Sequence, residues 1–298
     1  MKKAILIPIL VLSLLLLTSC GESQQPTAKG AFIGGDKGVV AEFEAFGVEE
    51  ESVYTIFDEE TFPLEVTLRN NGEYEIKQGE ITVKLLGPSQ DEFSGIASWQ
   101  LNNKGVLEAI SEFIPQGGEE TVSFASDAKY KSKVSGVSDR EWFANVDYRY
   151  NTFLIIPEVC LKEDLTDERV CTVQEPKTYF VSGAPVTITG VEEETAGKGI
   201  MALKIKISNV GKGKVTLPGG EFGIRNQLSY TVDDPDWECK SGGKVGEAKL
   251  VEEEAEIICK LKEPLAKDSL STKQIKLTFD YKYREIVQEK LRMKQSSN

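Results

Sequence analysis

The sequence predicts an all-β protein made of two tandem antiparallel β-sandwiches, and three observations carry that prediction. Apolar and polar residues alternate in short runs that end at Gly, Pro, Asn or Asp. Helical periodicity is almost absent, and one strand pattern is written twice. Alternation with period two is what a strand with one buried face requires, and many short strands between turns are the mark of a sandwich.

The chain opens with Met1-Lys2-Lys3, an apolar run from Ala4 to Leu17, and Thr18-Ser19-Cys20. A basic start, a short apolar core and small residues before a cysteine read as an export signal, residues 1–19. Leu17-Thr18-Ser19-Cys20 resembles a lipoprotein lipobox, which implies that Cys20 becomes a lipid-bearing N-terminus. The run is shorter than the roughly 20 residues of a membrane span, contains Pro8 and lacks a basic flank, so a plain transmembrane anchor is the weaker reading. An ordinary cleaved signal with an incidental Cys20 is the bland alternative. The expected address is the outer face of the cytoplasmic membrane or the cell surface, and stable anchoring there needs two acyl chains or an equivalent diether. Residues 20–30, with Gln24-Gln25-Pro26, read as a lipid-anchored flexible tether.

The first sandwich is expected over 31–175. Phe62 to Gly72 alternates into an Asn-Gly turn, flanked by strand-like runs at 39–46, 80–86, 119–124 and 142–156. Val106 to Ile114 is the one helix candidate, through Leu107, Ile110 and Ile114; an extended edge segment is nearly as good a reading, because Pro115-Gln116-Gly117-Gly118 follows. The boundary is expected near Gln174-Glu175-Pro176.

The second sandwich is expected over 176–292, followed by a tail, 293–298. Met201 to Gly211 repeats the alternation of Phe62 to Gly72, and Leu277 to Tyr283 answers Asn145 to Tyr150. Similar order at similar spacing indicates a duplicated unit. Further strands are expected at 186–191, 228–232, 255–261 and 274–283.

Composition excludes more than it assigns. The net charge is −13, and loss of Lys2 and Lys3 with the signal leaves 48 Asp and Glu against 33 Lys and Arg, near −15. Such a chain repels nucleic-acid phosphates and anionic headgroups, so no nucleic-acid partner is expected. There is no histidine, which removes the imidazole that triads, Cys-His pairs and most zinc sites use. Glycosidase chemistry needs only two carboxylates, but nothing selects a pair. No catalytic residue and no cofactor is expected.

Besides Cys20 the cysteines are Cys160, Cys171, Cys239 and Cys259, an even set that favours disulfides in an exported chain. Three connectivities are open. Cys160 with Cys171 and Cys239 with Cys259 is preferred, since each pair closes a short loop within one half. Without a CxxC spacing, a thiolate metal site is disfavoured.

Ser182-Gly183-Ala184-Pro185-Val186, the Asn209-Val210-Gly211 strand end, Trp237-Glu238-Cys239 with Ile258-Cys259-Lys260, and Asp280-Tyr281-Lys282-Tyr283 resemble repeated immunoglobulin-like domains of archaeal envelope proteins. They are also similar to CARDB-type adhesion modules of bacterial and archaeal surface proteins. The resemblance implies immunoglobulin-like sandwiches and an adhesive or assembly role with another envelope protein as partner; it supplies no catalytic residues.

Remaining candidates are modest. Asp233, Asp234 and Asp236 form the densest carboxylate loop and are the calcium candidates, without EF-hand spacing; a solvated acidic loop is the default. The runs at 49–51, 58–60, 192–194 and 252–254 read as exposed acidic turns. Tyr148 with Tyr150 and Tyr281 with Tyr283 share strand faces and are expected in the core, as are Trp99, Trp142 and Trp237. Gly34-Gly35 and Gly117-Gly118 read as turns.

Overall fold

The computed structural model describes residues 30–297 except 168, 174 and 175. The signal, Cys20, the tether to residue 29, and Gln174 and Glu175 at the expected boundary lie outside the described residues. The chain divides into Met1–Gly30 and Ala31–Asn298, and the second is one compact unit.

That unit is nearly all strand. The first half contains β1 (Val39–Phe43), β2 (Val48–Glu50), β3 (Val53–Phe57), β4 (Thr61–Asn70), β5 (Ile81–Leu86), β6 (Phe93–Ser94), β7 (Gln100–Asn102), β8 (Glu119–Tyr130) and β9 (Val137–Lys162). The second half contains β10 (Phe180–Val181), β11 (Val186–Gly197), β12 (Ile200–Asn209), β13 (Lys214–Thr216), β14 (Asn226–Val232) and β15 (Trp237–Ser241). It ends with β16 (Lys244–Val245), β17 (Glu247–Leu250), β18 (Glu254–Leu261) and β19 (Leu270–Lys294). A 3-10 turn at Gln90–Glu92 is the one helical element among the described residues.

Three sheets result. The central sheet runs β17-β14-β19-β9-β5-β7, with β2, β3, β10 and β13 attached along its edges. Two smaller sheets, β1-β4-β8-β6 and β11-β12-β18-β15-β16, cover the same face of it. Trp142 of β9 packs its ring against Phe62 of β4, whereas Thr152, on the same face of β9, donates to the Val186 carbonyl of β11. The duplicated pattern is therefore real in space. β1, β4 and β8 occupy in one outer sheet the places of β11, β12 and β18 in the other, and β5 and β9 answer β14 and β19.

The arrangement of the two halves departs from a tandem. β9 and β19 are 26 and 25 residues long and pair antiparallel from Leu270↔Lys162 to Lys294↔Val137, roughly 80 Å of ladder at strand rise. In its first part β9 pairs with β5 of its own half, and β19 with β14 of its own. Beyond the centre each strand continues into the other half: Leu291 to Lys294 pairs in parallel with Tyr54 to Phe57 of β3, and Leu154 and Ile155 pair with β10. A cut at 175/176 thus does not yield two self-contained sandwiches, because each half takes a long strand segment from the other. The expected tail at 293–298 is likewise revised. Met293 is fully buried, Gln295 N donates to Gly136 O, and Ser296 binds Asp58.

The helix candidate is extended. Ile76 and Leu107 exchange hydrogen bonds at 3.1 and 2.9 Å, Ile110 N reaches Gly72 O, and Gly118 N reaches Glu108 O. Backbone pairing with a neighbouring segment satisfies groups that a short, Pro-terminated helix would have left open.

Candidate functional site

The centre of the β9/β19 ladder is where the repeat meets itself. Tyr148 stands opposite Tyr283 and Tyr150 opposite Tyr281, with Arg149 and Lys282 between them at the pseudo-dyad. All four rings are buried. The repeat extends to the hydrogen bonds. Tyr150 Oη donates to Asn70 Oδ1 at 3.2 Å and Tyr283 Oη to Asn209 Oδ1 at 3.3 Å. Asn70 Nδ2 donates to the carbonyl four residues on, Tyr74 O, as Asn209 Nδ2 does to Gly213 O. Glycine is required two residues after each asparagine: a Cβ at Gly72 would lie 2.1 Å from Tyr150 Oη, and one at Gly211 2.1 Å from Tyr283 Oη. Burial pushes the Tyr148 and Tyr281 phenols far up and that of Tyr283 to about 12, so these hydroxyls stay protonated and serve packing. The tyrosines, Trp142 and Trp237 are core, and Trp99 stacks on Trp142 from a half-buried position.

The opposite face of the central sheet is polar and solvent-facing. Arg284 grips Asp147 with two nitrogens at 2.6 and 2.7 Å, Arg149 forks onto Asp280, and Asp139 receives Arg292 and Lys290. The Arg292 and Lys290 hydrogen bonds hold the Asp139 carboxyl down at about 2. Phe222, from the loop after β13, lies over Arg284 and Lys282 at 4.2 and 5.0 Å.

The cysteines are bonded Cys160–Cys171 and Cys239–Cys259. Cys239 and Cys259 are direct cross-strand partners of β15 and β18. Lys162 caps the first loop by donating to the carbonyls of Asp167 and Cys171.

The calcium candidates do not converge. Asp233 accepts Lys276 N at 2.9 Å, Asp234 accepts Asp236 N at 3.0 Å, and Lys273 Nζ sits 2.6 Å from Asp234 and 3.8 Å from Asp236. Burial alone would raise the Asp234 carboxyl, but the Lys273 ammonium and the Asp236 N–H outweigh it and hold it low. A lysine occupies the place a cation would take, and among the described residues no cluster of three His, Cys, Asp or Glu could hold a metal.

Two of the acidic runs are not simply exposed turns. Asp58 is buried and accepts Val134 N at 2.8 Å and Ser296 N and Oγ at 3.0 and 2.6 Å, and these bonds, Ser296 first, hold its carboxyl at about 2. Glu193 is buried in β11 with Lys177 Nζ 2.5 Å away. Glu51-Ser52 and Glu252-Glu253 do form turns, each with two consecutive positive φ angles, the geometry of a type I′ hairpin. Glu253 also accepts Asn226 Nδ2 and, at 2.5 Å, Asn209 Nδ2. Gly117-Gly118 is the corresponding turn of the first half: Asn70 N donates to Gly118 O as Asn209 N does to Glu253 O.

The segment from Val106 to Ile114 is the clearest exposed apolar feature of the first half. Phe113 is 93% exposed, and Val106 and Ile114 are exposed beside it, on a backbone tied to Gly72, Ile76 and Gly118. Comparison of the chain with protein-family models, with curated proteins and with solved structures finds no match to any of them.

Proposed function

We propose that the protein is a non-enzymatic, lipid-anchored binding module of the cell envelope, tethered through Cys20 and engaging another envelope or surface protein. The observation that carries the binding part is Phe113. A fully displayed phenylalanine on a hydrogen-bonded loop forgoes the burial that normally accompanies folding, and interface anchors are enriched in aromatic residues already held in place. The lipobox and the two disulfides support an oxidising exterior.

The test is photo-crosslinking from position 113 in intact cells. A binding module gives one reproducible crosslinked neighbour that Phe113→Ser, scored from a crosslinker at 114, abolishes without altering thermal stability. A passive spacer is the second reading, favoured by the length of the β9/β19 ladder, and it gives no reproducible neighbour. Cys20→Ser is expected to release the protein from the membrane fraction; retention there would contradict the anchor.

A further inference from the structure

We propose that the open edge of β19 at Ile286 to Gln288, beside the free edge of β1, takes an extended cationic segment of a partner protein as an added strand. The inference goes beyond the reading above and rests on neither Phe113 nor Cys20.

The second half shows the corresponding edge filled. There one linker closes the side of the sandwich: Pro176 bridges Glu192, and Lys177 N donates to Val191 O on the edge of β11. The same linker then lies along β9, where Phe180 and Val181 pair with Ile155 and Leu154 and Ser182 N donates to Phe153 O at 3.0 Å. Tyr148 and Tyr150 correspond to Tyr281 and Tyr283, so Phe153, Leu154 and Ile155 correspond to Ile286, Val287 and Gln288 of β19.

In the first half no strand among the described residues lies there. β13 leaves β19 at Arg284 and β3 joins it at Leu291, with roughly 23 Å of edge between them. By alternation the N–H and C=O of Ile286 and Gln288 point into this gap, as those of Phe153 point to Ser182. Lys290 N, next in line, turns to the Glu289 carboxylate at 2.8 Å. β1 lies against β19 from the other sheet. Gly38 O and Glu44 N bond to β4, so Ala41 and Phe43 turn their backbone groups away from it, with no backbone partner among the described residues.

The gap is acidic. Glu285, Val287 and Glu289 form the inward row of β19, and Glu49 of β2 with Glu42 and Glu44 of β1 close round Tyr54 at its far end. Burial first, and then the charges of Glu289, Glu49, Glu44 and Glu42, raise the Tyr54 phenol. Lys212 and Lys37 act on the near end, at Glu285, whose carboxyl burial still pushes up. Five carboxylates thus meet two ammonium groups. The other cations nearby are engaged: on the opposite face Lys290 and Arg292 pair with Asp139, Arg284 with Asp147 and Lys294 with Glu50, and Arg69 is bound to Glu119.

These charges select the occupant. A second copy of the same edge would bring like charges together. The chain's own N-terminal segment is held elsewhere: Phe32 stacks on Phe153, Gly35 O accepts Ala184 N, and the Glu73 carboxylate holds Ile33 N and Gly34 N at 2.8 and 2.9 Å. Residues 21–30, with Glu22 and Lys29, carry no net charge. A strand added beside β19 from a partner fits when an apolar residue stands opposite Val287 and Lys or Arg opposite Glu285 and Glu289, while the residues between them bond to Ile286 and Gln288.

The probe is a fluorescent peptide with Lys-Thr-Val-Thr-Lys at its centre, a palindrome that suits either strand direction, titrated into the cell-derived protein in mild detergent. Binding is expected, weakening with salt, together with slowed hydrogen exchange at the Ile286 and Gln288 amides, which exchange quickly in the free protein. Glu49→Gln with Glu289→Gln lowers affinity about tenfold, as two half-exposed ion pairs allow. Glu112→Gln with Glu263→Gln, elsewhere on the surface, leaves it unchanged, and matched urea curves confirm that both pairs fold. N-methylation of the two threonines, which removes the donors facing β19, abolishes binding, and a peptide of the same composition ordered Lys-Lys-Val-Thr-Thr binds far more weakly. Absence of peptide binding, equal binding of the N-methylated or reordered peptide, equal loss in both double variants, or slow exchange of the two amides in the free protein overturns the proposal.

Discussion

Met293→Ala probes the exchange of strands between halves. Met293 lies near the C-terminus, in a stretch that reads as a tail, yet it is fully buried between Ser138 of β9 and Ile56 of β3. Truncation removes the transfer free energy of the side chain and leaves a cavity that neighbours in a three-strand ladder cannot easily close, about 2–5 kcal/mol. With a urea m-value of about 3 kcal/mol/M for a unit this large, the midpoint should fall by about 1 M. The reporter is Trp142, buried in the first half among Phe46, Phe62, Phe93 and Trp99; single-tryptophan chains isolate it from Trp237 in the second half. The loss should appear at Trp142 and at Trp237 with one common midpoint, because the central ladder joins both halves into one cooperative unit. An unshifted Trp142 midpoint, or two separate transitions in the parent chain, would refute the reasoning.

Asn209→Ala deletes acceptor and donors buried beside Tyr283 and Gly213 and should cost about 2–4 kcal/mol in urea unfolding, with Asn70→Ala similar because its network is the same. Native-state reduction followed by alkylation and mass mapping should label Cys160 and Cys171 before Cys239 and Cys259, since Cys171 is partly exposed and both members of the other pair are buried. Asp58 and Asp139 have carboxyls held at about 2 in the fold, below the unfolded value near 4. Their contribution is complete above that unfolded value and is lost as pH falls from about 4 toward 2. Urea midpoints between pH 5 and 2 should drop, and Asp58→Asn should flatten part of that drop; an unchanged slope would count against the assignment.

Much of the fold was legible because it is local. Phe62 to Gly72 and Met201 to Gly211 became β4 and β12, each ending on the asparagine that anchors a core tyrosine. Of the three cysteine connectivities open to the sequence, the short-loop one is present in the fold. Readings failed where a residue's environment comes from far along the chain. Leu107, Ile110 and Ile114 have helical spacing, and the choice left open there between a helix and an extended segment falls to the extended one because Ile76 offers a backbone partner. Asp58 and Glu193 sit in acidic runs, yet one is claimed by Ser296, 238 residues away, and the other lies beside Lys177. The Phe113 loop could have been suspected only from an apolar run that lacks a matching face.

By itself the sequence determined the period-two strands, the duplication and the inventory of chemistry, since alternation, turn residues and residue types are properties of neighbours along the chain. The tertiary structure decided which half each end of β9 and β19 serves, and which charges pair across the ladder. Both depend on long-range register: one step of slip in the β9/β19 ladder would exchange its buried and exposed rows. Arg149 therefore meets Asp280, and Arg284 meets Asp147, across a dyad whose partners lie more than 130 residues apart in the chain, a consequence of strand pairing that composition does not state.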